Sequence, residues 1–133
     1  MNFCATMLLD MERNTDQTDN ERVSERKMEI PEVMKLKDLV AYQDRAVVSK
    51  TIVEKHAGTV TAFAFDESQG LSEHTAPYDA LIIIIEGKAQ IRISDDEFRL
   101  EEGETIILPA NKPHSLKAVT KVKMLLVMIL AKS

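Results

Sequence analysis

A chain of 133 residues with 44% hydrophobic and 29% charged side chains is sized for one compact domain, able to bury roughly two thirds of the surface its unfolded form exposes. Seventeen Lys and Arg against twenty-two Asp and Glu leave a formal net charge of −5, which excludes nucleic acid and anionic membrane as main partners, since both need clustered cations. The lone Cys4 excludes an intramolecular disulfide and a thiolate zinc site, and the longest apolar runs, 80–85 and 124–131, fall short of the ~18 residues of a membrane span.

Residues 1–33 read as an N-terminal arm, flexible or partly helical, ahead of a single domain at 34–133. The stretch 14–27 carries one apolar side chain, Val23, too little burial to offset the entropy of ordering. Before it, Cys4, Met7, Leu8, Leu9 and Met11 supply one apolar helical turn able to dock on a partner. No basic flank precedes them, so they do not read as a secretory signal, and a soluble cytoplasmic protein is expected. Leu36, Leu39 and Val40 at i, i+3 and i+4 predict a short amphipathic helix over 37–43.

From residue 46 onward the period is that of strands. Segments 46–53, 59–65, 71–76, 80–86, 88–93, 97–100, 105–108, 114–119 and 123–130 are rich in Val, Ile, Thr and Phe, and turn residues separate them. About nine short strands at close spacing predict an all-β sandwich or barrel. Residues 88–93 alternate, with Ala89, Ile91 and Ile93 on one side and Lys88, Gln90 and Arg92 on the other, as a strand with one buried face should. The runs 81–85 and 124–130 do not alternate. If Ile82 and Ile84 point inward, then Leu81, Ile83 and Ile85 point out and need cover, which the arm or a second copy of the chain would supply; a homodimer is expected.

The residues able to do chemistry gather at two turns. The first runs from Gly70 through His74, Ala76, Pro77, Tyr78, Asp79 and Ala80 to Gly87, and the second from Gly103 through Pro109, Asn111 and Pro113 to His114 and Ala118. Each histidine sits close to a loop at a strand end, which is how a barrel aims two distant residues into one cavity. This pattern resembles the cupin superfamily, in particular its small stand-alone single-domain members. The family's first motif is a glycine, a His-x-His pair, a glutamate and a further glycine, which Gly70, His74 and Gly87 match. Its second is a glycine, Pro-x-Gly, a histidine and an asparagine, which Gly103, Pro109 and His114 match. Over roughly 46–130 the resemblance implies a double-stranded β-helix, a small jelly-roll barrel with its ligand cavity inside.

The departures bear on function. The family's second histidine falls at Ala76, its glutamate at Ala80, its second-motif glycine at Asn111 and its asparagine at Ala118. Of the three histidines and one carboxylate of the family's metal site, His74 and His114 survive. Asp79, one residue from the glutamate position, would complete a two-histidine, one-carboxylate set suited to iron if the Pro77-Tyr78 break turned it inward. Against that stands a metal-free pocket in which both histidines are hydrogen-bonded polar groups. Between the two lies one weakly held divalent metal, iron, manganese, nickel or zinc, on the histidines alone.

Tyr78 either stacks on a ligand at the cavity mouth or packs on its own barrel, and His56 is expected at the rim. Glu73 should face away from the cavity, Arg92 and the Asp95, Asp96, Glu97 turn should be solvated, and Met124, Leu126, Met128 and Leu130 should be core. Two functions follow. One is a dimeric small-molecule binding or sensing protein using His74, His114, Asp79 and Tyr78. The other is a metal-dependent cupin enzyme, oxygenase- or isomerase-like, using His74, His114 and a carboxylate. Loss of two of four ligands favours the first.

Overall fold

The computed structural model describes residues 31–130, so the expected arm lies almost entirely outside the described residues. The nine expected strands form, as β1 (Val47–Lys55), β2 (Gly58–Phe65), β3 (Gly70–His74), β4 (Asp79–Glu86), β5 (Ala89–Ile93), β6 (Asp96–Leu100), β7 (Thr105–Leu108), β8 (His114–Ala118) and β9 (Val122–Ile129). They pair antiparallel in two sheets, β1-β2-β9-β4-β7 and β3-β8-β5-β6. That strand order is a jelly roll with β1 added at one edge. No helix among the described residues is long and apolar enough to cross a membrane.

Period-two alternation decides what fills the space between the sheets. From β2 come Phe63 and Phe65, from β4 Ala80, Ile82 and Ile84, from β9 Val122, Met124, Leu126 and Met128, and from the facing sheet Ala89, Ile91, Leu116 and Ala118, all in one buried cluster. The methionine strand is core, as its sequence predicts. Ile85 departs from the expected outward set: the ladder shifts register between Ile84 and Glu86, and Ile85 is buried.

The expected helix over 37–43 is instead a three-residue 3-10 turn, Leu36–Asp38, with no side chain capping its start. The chain then lays Leu39, Val40 and Tyr42 across the outer face of the five-stranded sheet, over Ala62, Ala64 and Leu125. Tyr42 anchors this strap: its hydroxyl donates to Glu86 Oε2 at 2.6 Å, and the ammonium groups of Lys121 and Lys123 lie 5.5 and 5.0 Å from its ring centroid. Burial and the Glu86 carboxylate both hold its proton on. Tyr42→Phe keeps the packing and removes the bond to a charged acceptor, so urea unfolding should show a loss of about 1 kcal/mol; an unchanged midpoint would remove the anchoring role.

Candidate functional site

His74 ends β3 and His114 begins β8, and the two are direct cross-strand partners. Both are buried, with ring centroids 4.2 Å apart and planes at 77°. Each ring is oriented the same way: Nδ1 of His74 lies 2.8 Å from the carbonyl of Ser72, and Nδ1 of His114 lies 2.9 Å from that of Lys112. A carbonyl can only accept, so each Nδ1 carries a proton and donates it. Burial pushes the His74 pKa down to about 4, against the Ser72 bond and with help from the neighbouring imidazole, and it lowers that of His114 as well. Both rings are therefore neutral at pH 7, with the lone pair on Nε2.

The loops carrying these histidines are tied together. Asn111 adopts φ +66°, a left-handed conformation that asparagine tolerates, and its N–H donates to the Ala76 carbonyl at 2.7 Å. One residue earlier, Ala110 N–H donates to Asp79 Oδ1 at 2.9 Å. This corrects the expected role of Asp79. Ala80 faces the core, so its neighbour on the regular strand faces outward; Asp79 is exposed and fastens the β7–β8 loop to β4 rather than joining the histidines. Tyr78 is half-buried against the barrel core, while His56 and Glu73 are exposed.

The strand register adds two residues that sequence reasoning missed. Thr59 and Thr61 share the inward face of β2 with Phe63 and Phe65, toward the same barrel end as the histidines, and each is 3% exposed. Neither Oγ1 finds a hydrogen-bond partner among the described residues. A pocket of about 290 Å³ opens at this end between β6 and β7, the adjoining edges of the two sheets. Ile93, Phe98, Ile106 and Pro109 form its apolar wall, with Asp96 and Lys112 as charged groups; Ile93 is the ladder partner of His114.

A family model described as a cupin domain matches residues 62–130. The chain belongs to the cupin family. Among solved structures, the conserved SPY1581 protein of unknown function from Streptococcus pyogenes is 34% identical with a TM-score of 0.74, over 78% of this chain and 91% of that one. A cupin 2 conserved barrel domain protein from Leptotrichia buccalis is 33% identical, TM-score 0.67, over 70% of this chain and 45% of that one. A cupin superfamily protein from Desulfitobacterium hafniense shares the fold at 22% identity, TM-score 0.73, over 77% and 94%. No curated protein matches the chain.

Cupin membership raises the question of a metal, and the residues present do not fit the four-ligand centre implied by the motifs. Ala76 and Ala80 take the places of the second histidine and the glutamate, and both sit in the apolar core. With Asp79 on the outer face, no group of three or more His, Cys, Asp or Glu side chains able to hold a metal occurs among the described residues. What this cupin brings together is a pair of neutral imidazoles, and two buried hydroxyls face inward from β2 toward the same barrel end.

Proposed function

We propose that this cupin is a small-molecule-binding protein whose ligand is neutral and hydroxylated, taken up at the histidine end of the barrel. The observation that carries the reading is the cross-strand histidine pair: two touching, buried rings, held neutral and each with Nδ1–H committed to a backbone carbonyl. Such a neutral pair suits ligand O–H or N–H donors better than an anion, which would find no buried cation among the described residues. Thr59 and Thr61 supply hydroxyls that both donate and accept, the complement of a ligand with several hydroxyl groups. Apolar side chains around these few polar groups give the usual composition of a small-ligand site.

The test is a calorimetric and thermal-shift screen in which glucose, mannose and myo-inositol are set against succinate, benzoate and phosphate. Binding confined to the neutral polyols, and weakened about tenfold or more by His74→Ala or Thr61→Val, supports the reading. Preference for the anions overturns it. Elemental analysis of protein purified without chelator is the second arm. Stoichiometric metal that survives gel filtration and disappears in His114→Ala would favour a metal-dependent enzyme instead.

A further inference from the structure

β6 and β7 are the outermost strands of their sheets, and the pocket lies in the gap between those two edges. Cross-strand partners share a face, so the ladders show which side chains point into that gap. On β6, Phe98 stands in one row with Ile91 and Leu116, which are 0% and 6% exposed, yet Phe98 itself is 40% exposed. An aromatic ring on the core face is left uncovered there because, among the described residues, no further strand follows at either edge. Opposite it, Ile106 shares the inward face of β7 with its buried partner Ile82. Ile93 and Pro109 extend the apolar wall, and the two charged groups, Asp96 and Lys112, are exposed and opposite in sign. Such a lining selects an uncharged, apolar group.

Volume limits how much of a ligand the pocket takes. An apolar cavity of ~150 Å³ takes up benzene, and pockets for whole drug-sized ligands begin at roughly 300 Å³. At about 290 Å³ this one holds a single ring with its linking atoms, and the rest of the molecule has to lie beside it. The histidine pair is what lies beside it. His74, His114, Ile93 and Asp96 form one ladder row, so the pocket wall at Ile93 is a single strand spacing, ~4.8 Å, from His114. The β7–β8 loop joins the two. Its Pro109 and Lys112 line the pocket, while the Lys112 carbonyl accepts from His114 Nδ1 at 2.9 Å and the Pro113 carbonyl accepts from Ser94 N–H at 2.8 Å.

We infer that the pocket is a ring subsite of the polyol site, so that the ligand class is a neutral polyol carrying one apolar ring. The ring packs against Phe98 and Ile106, and the hydroxyls reach toward His74 and His114. The inference rests on the polyol reading above and adds an apolar substituent which that reading does not require.

Calorimetry on the full chain compares the methyl and phenyl β-glucosides, and the corresponding pair of mannosides, with phenol as the ring alone. Each phenyl glycoside should bind at least about tenfold tighter than its methyl counterpart, a gain that burial of about 60 Å² of the ring supplies. Phe98→Ala should bring that ratio below about three. Should the variant fail to fold, the wild-type chain decides alone: nuclear Overhauser contacts from the aryl protons of the bound phenyl glycoside should reach the Phe98 ring and the Ile106 methyl groups. Equal affinity for methyl and phenyl glycosides overturns the inference and leaves the polyol reading standing. A ratio indifferent to Phe98→Ala, or aryl contacts elsewhere on the barrel, overturns it as well. Binding of neither glycoside, whether or not phenol binds, also overturns it, and the polyol reading then falls too unless myo-inositol binds.

Discussion

Gly87→Ala is expected to cost about 3 kcal/mol or more in folding stability and to leave little folded protein at 37 °C. Gly87 sits in the β4–β5 turn at φ +89°, a conformation that costs an L side chain about 1–2 kcal/mol by itself. The turn is also pressed against the chain between β8 and β9. A Cβ at Gly87 would stand 2.0 Å from the Lys121 carbonyl oxygen and 3.0 Å from Val122 Cα, both backbone, so no side chain can swing aside. Neighbouring bonds hold the two turns together: Lys88 N–H donates to Thr120 Oγ1 at 3.0 Å, and Val119 N–H donates to the Lys88 carbonyl at 2.9 Å. Gly103 is the internal control, with φ +85° but nothing within 4 Å of its Cβ position. Gly103→Ala should therefore show the conformational cost alone, about 1–2 kcal/mol. Urea unfolding of the two variants decides the matter: equal losses would mean that the contact with Lys121 contributes nothing. Because these turns lie at the barrel end remote from the histidines, any Gly87→Ala protein that folds should retain ligand affinity.

The strand ladder was legible in the sequence because turn residues fall between short β-rich segments, and the alternation of 88–93 reads off directly which side of β5 is buried. Parity was harder wherever both faces are apolar. In β2, Thr59, Thr61, Phe63 and Phe65 face one way and Val60, Ala62 and Ala64 the other. Neither set is polar enough to mark the outside, so the inward hydroxyls emerge only once β2 is paired with β9. Asp79 failed for a related reason: one residue separates it from Ala80, and a one-residue step on a strand changes face. The break at Pro77-Tyr78 hides that parity from any reading along the chain. Ile85 was misplaced by a register shift that no local residue announces. The histidines, by contrast, sit at spacings around glycine and proline that tie them to strand ends, and the structure brings them into contact.

Acid should destabilise this protein through that contact, in the window between pH 6.5 and about 4. The His74 pKa falls from an ordinary 6.5 in the unfolded chain to about 4 in the fold, so within that window the unfolded state binds more protons. Unfolding free energy then rises with pH, and the stability present above pH 6.5 is lost progressively on acidification until about pH 4. The full shift corresponds to roughly 3 kcal/mol, and screening at the open barrel end reduces the expected loss to about 2 kcal/mol. His114 shifts in the same direction, but with the rings 4.2 Å apart a proton on one opposes a proton on the other, so the two losses do not simply add. His74→Gln keeps a polar side chain and cannot titrate, so its unfolding midpoint against pH should be flatter than that of the wild type across this window. Parallel profiles would show that the acid loss arises elsewhere. A ligand that donates to Nε2 competes for the same lone pair as the proton, which makes binding subject to the same protonation. Affinity for a neutral polyol should hold from pH 8 down to about 5 and fall below that, whereas an anionic ligand would bind more tightly as the imidazoles gain charge. The direction of that pH dependence reports which atom of the histidine pair the ligand meets.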